Sequence, residues 1–118
     1  MTVQMRLDSQ YFESMKSGKK KIEIRLNDEK RQKVRVEDII EFSKMPELRD
    51  KISVEVTEIK ISPAHEEMIE DTSLSDFGGM YRSKEQLLTR YIRYTQEEQM
   101  RYGLVVFRVR LLDRIRQE

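Results

Sequence analysis

A chain of 118 residues with a formal net charge of +1 has room for one domain with a modest core, and 38% charged against 37% hydrophobic residues make it polar for a folded protein. It has no cysteine and a single histidine, His65, which excludes disulfides, thiolate metal sites, cysteine nucleophiles and multi-histidine metal centres. No apolar run reaches the roughly 18 residues of a membrane span and the N-terminus lacks an apolar leader, so a soluble, cytoplasmic protein is expected, without cofactor or membrane partner.

Residues 2–7 alternate Val3, Met5 and Leu7 on one face, the period-two pattern of a strand. Asp8 or Ser9 can cap a helix through about residue 17, with Phe12 and Met15 as its apolar stripe and Gly18 as its stop. Residues 20–26 make a second strand with Ile22 and Ile24 inward, and 27–30 a polar turn. A short extended piece at 34–36 precedes a strand at 38–42, and the stretch 44–51, which contains Pro46, is a loop. Ile52, Val54 and Val56 then alternate before the phase slips to Ile59 and Ile61. A slip of one residue in so long a strand points to a β-bulge near Thr57 and Glu58.

Ser62 and Pro63 open a helix to about residue 70, with Pro63 in the first turn where a missing N–H costs nothing. Residues 76–79 read as a flexible turn. Ser83 caps a helix carrying Leu87, Leu88 and Ile92, and Thr95 with Glu98 forms a capping box for a short helix that stops at Gly103. A final strand over 104–111 places Val105, Phe107, Val109 and Leu111 on one face, and a charged tail follows at 113–118.

These elements predict a single α+β domain over residues 1–112, a small β-barrel of about five to six mostly antiparallel strands with short helices at its mouth. Charge is unevenly spread along it. Residues 1–35 carry a net +5, residues 36–79 a net −8 and residues 80–118 a net +4. If the two basic ends meet in space they make a positive face suited to a phosphate-bearing partner; otherwise the segments neutralise one another.

The chemistry concentrates in Gly18-x-Lys20-x-x-Glu23-x-Arg25. On a regular strand Lys21, Glu23 and Arg25 share one face and Ile22 and Ile24 the other. Glu23 then sits between two cations, stays ionised, and can hold the Arg25 fork for a ligand. Lys20 shares the parity of the isoleucines and would lean toward the barrel mouth. There a partly desolvated amine can donate to phosphate or act as a base. The competing reading is a solvated ion-pair row flanking a strand. Tyr81, Tyr91, Tyr94 and Tyr102 interleave with Arg82, Arg90, Arg93 and Arg101, a pattern able to clamp single-stranded nucleic acid. Tyr91 fits core spacing, which leaves Tyr94 as the stacking residue. His65 among Glu66, Glu67 and Glu70 reads as a solvated helix face without calcium-loop spacing, and Gly78-Gly79 lacks the lysine and serine of a phosphate loop.

The same motif, with Leu7 and Phe12 upstream, resembles the defining motif of ASCH domains, which belong to the PUA-like superfamily. Val36-Glu37-Asp38-Ile39-Ile40-Glu41-Phe42 resembles the segment that follows, and Tyr94-Thr95-x-Glu97-Glu98-x-x-x-Tyr102-Gly103-Leu104-Val105 resembles the lead into the last strand. The resemblance spans residues 5 to about 111. It implies a PUA-like barrel, a cleft between barrel and helices lined by Lys20, Glu23 and Arg25, and a role in RNA binding or RNA-linked regulation. Some members resemble amidohydrolases of acylated cytidine that use the motif lysine, a threonine at the position of Glu23 and a further glutamate. Here a carboxylate replaces that hydroxyl and cannot serve as a neutral nucleophile, and Glu85 and Asp76 are the candidates for the second acid. Glu37 stands where the family usually has glycine, so the turn there either avoids positive φ or is strained.

The sequence therefore points first to an RNA- or nucleotide-binding ASCH module in which Lys20 and Lys21 meet phosphate, Glu23 accepts from a base or orients Arg25, and Tyr94 stacks. One alternative is a small hydrolase of acylated cytidine nucleosides with Lys20 as base and Glu23 as partner. The other is an interaction domain whose acidic stretch, 36–79, binds a basic protein.

Overall fold

A computed structural model describes residues 1–62, 73–79, 81–90 and 94–112. The helix expected at 63–70 with His65, the residues Tyr91, Ile92 and Arg93, the side chains of Leu88 and Arg90, and the tail at 113–118 lie outside that description.

The first strand, β1 (Thr2–Leu7), buries Met5 and Leu7 and exposes Gln4 and Arg6, as its alternation requires. Helix α1 (Ser9–Lys16) buries Tyr11, Phe12 and Met15, a stripe at the i, i+1, i+4 spacing of one helical face. The chain turns away at Gly18, whose φ of +87° is the left-handed stop that glycine adopts without a Cβ penalty. Strand β2 (Ile22–Leu26) follows. It starts two residues later than its sequence pattern suggests.

The expected polar turn contains a single helical turn, α2 (Glu29–Gln32). Asp28 caps it, accepting from the Arg31 N–H at 3.1 Å through one oxygen and from the Arg31 guanidinium at 3.0 Å through the other. The extended piece expected at 34–36 is instead a buried Val34 leading into a turn. There Glu37 adopts φ 81°, the strained alternative of the two foreseen. Strand β3 (Ile39–Lys44) begins one residue late, because Asp38 is engaged with the amino terminus and the Arg35 N–H.

Strand β4 (Lys51–Ser62) is twelve residues long and carries the expected bulge, a register shift between Val56 and Glu58 that leaves Thr57 extra. A 3₁₀ turn (Leu74–Asp76) and two helices, α3 (Lys84–Arg90) and α4 (Gln96–Tyr102), precede β5 (Leu104–Leu111). Ser83 accepts from the Gln86 N–H at 3.1 Å, and the Thr95–Glu98 capping box is formed in both directions.

The five strands form one curled sheet in the order β1-β3-β4-β5-β2. β1 and β3 run parallel and the other neighbours antiparallel, giving a half-barrel of the small α+β, PUA-like kind. Its core joins Phe12, Phe42 and Phe107 with Ile22, Ile24, Ile40 and Leu104, all essentially inaccessible. The outer edges, β1 and β2, face each other across a seam that side chains bridge. The Arg25 guanidinium donates to the Arg6 carbonyl and the Lys30 ammonium to the Gln4 carbonyl, each at 2.6 Å. Two carbonyls of an edge strand are thus satisfied by cations rather than by a sixth strand.

Candidate functional site

The end of α1 sets the geometry of the motif. The N–H groups of Lys19 and Lys20 both donate to the Ser14 carbonyl at 3.1 Å, wrapping the chain around the helix terminus. Lys20 then pairs with Phe77 in an isolated bridge, the Lys21 N–H donates to the Asp76 carbonyl, and Val109 donates to the Lys21 carbonyl. Lys20 therefore lies ahead of the regular strand, buried as Ile22 and Ile24 are. Its Nζ is 3.3 Å from Glu23 Oε1 and donates to the Ile22 carbonyl at 2.7 Å. Residues three apart on a regular strand point to opposite faces, so this contact exists only because the strand begins at Ile22.

Glu23 is the hinge of a three-membered ion cluster. Its other oxygen accepts from Arg25 Nε at 2.6 Å. Lys20 and Glu23 are 2% and 3% exposed, which rules out a solvated surface row. Burial by itself pushes the Glu23 carboxyl up. The charges of Arg25 and Lys20, with their hydrogen bonds, outweigh it and hold the group below its ordinary range. The Lys20 ammonium also lies 5.5 Å from the ring centre of Tyr11 and 5.9 Å from that of Phe77, so π faces border it as well. Arg25 approaches the Phe42 ring at 5.9 Å.

The aromatic walls around Lys20 were not foreseen. The stretch 76–79 reads as a loose turn in sequence, yet Phe77 is 1% exposed and Tyr81 donates to the Tyr11 hydroxyl at 3.1 Å. Gly78 explains the fit. Its φ is +98°, and a Cβ there would stand 2.3 Å from Ser14 Oγ. A phenylalanine followed by two glycines beside an apolar helix is the signal that could have suggested docking.

Beside this cluster lies a cleft of about 230 Å³ between the end of α1 and the β4–β5 pair. Met15, Val54, Val109 and Leu111 supply an apolar floor, and Lys20, Lys21 and Arg110 line it as well. Lys21 is exposed, and Arg110 pairs with Glu55. Among the expected site residues, Lys20, Glu23 and Arg25 come together, and Lys20 and Lys21 share the cleft. Tyr94 is half-buried against the core just ahead of α4, with its carbonyl accepting from Gln99. Of the candidate second acids, Asp76 is tied to Arg108 at 3.2 Å and Glu85 is exposed in the first turn of α3.

The ASCH domain model matches residues 5–113. The chain belongs to the ASCH domain family. Two solved structures share its fold over nearly their whole length. The crystal structure of the hypothetical protein PH0355 is 33% identical, covers 95% of this chain and all of its own, and superimposes with a TM-score of 0.82. The solution structure of PF0455 from Pyrococcus furiosus is 32% identical, covers 96% of this chain and 99% of its own, with a TM-score of 0.74. No curated protein matches the chain in sequence.

Proposed function

We propose that this ASCH domain binds RNA, or a nucleotide-like ligand, in the cleft beside the Lys20–Glu23–Arg25 cluster. The observation that carries the reading is the cleft's composition: an apolar floor of Met15, Val54, Val109 and Leu111 beside the exposed cation Lys21. An apolar surface can take the face of a base while a nearby ammonium takes its phosphate. The roles within the motif divide. Lys21, exposed at the cleft, meets phosphate directly. Lys20 and Glu23 are buried and positioned by each other, so they fix the wall of the cleft and the Arg25 fork.

Hydrolysis of acylated cytidine fits the same residues less well. Lys20 is buried, beside a carboxylate and donating to a carbonyl, so its amine is engaged within the fold rather than presented to a substrate. The test is a titration of labelled single-stranded and hairpin RNA at low and physiological salt, comparing wild type with Lys21→Ala. Saturable binding that weakens with salt, and falls several-fold in a variant that still melts at the wild-type temperature, is the expected result. Absence of binding, together with turnover of an acylated cytidine that is lost in Lys20→Ala, would replace this reading with the hydrolase.

A further inference from the structure

A second cationic surface lies outside the cleft. At the seam between the edge strands, Lys30 is held on the Gln4 carbonyl and Arg25 on the Arg6 carbonyl. Arg31 is fixed by Asp28 on the same helical turn as Lys30. The Arg6 side chain leaves β1 on its exposed face. Desolvation lowers the pKa of Lys30, and the like charges of Arg31, Arg25 and Arg6 act in the same direction in spite of Asp28. Glu23 is buried against Lys20 and Arg25, Asp28 is engaged with Arg31, and Glu29 adds one exposed acid in the first turn of α2.

Several cations elsewhere are matched by acids. Arg108 meets Glu58 and Asp76, Arg110 meets Glu55, and Lys44 meets Glu13. At the seam, backbone carbonyls hold two cations, Lys30 and Arg25, in place. Cations ordered by the fold need less ordering when an anion arrives.

The seam is also continuous with the cleft. β2 leads from Lys21, at the cleft, to Arg25, at the seam, a rise of about 13 Å at 3.3 Å per residue. That spacing suits non-adjacent phosphates of one chain and exceeds what a single mononucleotide can bridge.

We infer that the seam cations Arg6, Lys30 and Arg31 are a backbone track for single-stranded RNA, continuing past Arg25 the strand whose base occupies the cleft. The inference rests on the cleft reading for its polarity and on the seam for its length. A mononucleotide then fills the cleft alone, and a longer strand gains affinity from phosphates laid over the seam.

Two probes separate the parts: cytidine 5′-monophosphate, and a single-stranded RNA of about eight nucleotides, within the span a small barrel of this kind covers. Each is titrated against salt with wild type, Lys21→Ala, Lys30→Gln, Arg6→Gln and the Lys30→Gln/Arg6→Gln double variant, all verified by thermal melting. The longer strand should bind more tightly than the mononucleotide. The slope of its log affinity against log salt should fall by roughly 0.7 for each seam cation removed, while mononucleotide affinity stays constant. A longer strand that loses binding in Lys21→Ala yet keeps its full slope in the double variant overturns the track and leaves the cleft reading standing. Seam variants that weaken the longer strand while Lys21→Ala does not would keep the track and remove the cleft. Failure of both probes to bind overturns both.

Discussion

At the scale of the residue, Glu23 carries the most consequence. It is a buried carboxylate between two cations, and its value to the fold depends on both. Replacing an ion cluster by apolar groups is often neutral, but removing one member leaves uncompensated charge in a low dielectric. Glu23→Gln keeps the size and abandons Lys20 and Arg25. It should therefore destabilise the protein by about 3–5 kcal/mol, measured by chemical denaturation at neutral pH. The pH dependence has a definite sign. The carboxyl titrates lower in the folded state than its ordinary 4.5. Its contribution is complete above that value and is lost as pH falls through the lower folded-state pKa. The stability gap between wild type and Glu23→Gln should thus be constant near neutrality and close in strong acid. A gap that widens on acidification would contradict the assignment.

At the scale of the element, legibility followed local periodicity. Alternation located β1 and β5 to the residue, and the phase slip after Val56 located the bulge, because a bulge changes side-chain parity and parity is written in the sequence. The partners of Lys20 are less legible for the opposite reason. Its orientation is set by Ser14 and Phe77, partners 6 and 57 residues away, which no window around the motif contains. The cluster Lys20, Glu23 and Arg25 was legible as a group, but its burial and aromatic walls were not. Helix α2 was missed although Asp28 is an ordinary N-cap, since four polar residues give no apolar stripe to read.

The turn between α2 and β3 carries its own prediction. The Asp38 N–H donates to the Arg35 carbonyl at 3.0 Å across a turn whose third residue, Glu37, has φ 81°. A side chain in that region costs about 1–2 kcal/mol, and glycine avoids most of it. Glu37→Gly should raise stability by about 1 kcal/mol, seen as a higher denaturation midpoint at unchanged slope. A lower midpoint would mean that the Glu37 side chain contributes more than its backbone costs.

At the scale of the whole molecule, both expectations about charge apply in different places. Pairing of β2 with β5 joins the two basic ends of the chain, yet the cations of β5 are neutralised by the acidic middle through Glu55, Glu58 and Asp76. Arg6 and Lys30 at the seam and Lys21 at the cleft are exposed and add positive charge to the surface. Among the described residues no helix is long and apolar enough to cross a membrane. The measurement that tests the central claim most directly is a backbone amide NMR titration of the protein with cytidine 5′-monophosphate. The account predicts saturable shifts concentrated at Met15, Gly18, Lys21, Val109 and Leu111. Shifts confined to the acidic residues of β3 and β4, or none at saturating nucleotide, would contradict it.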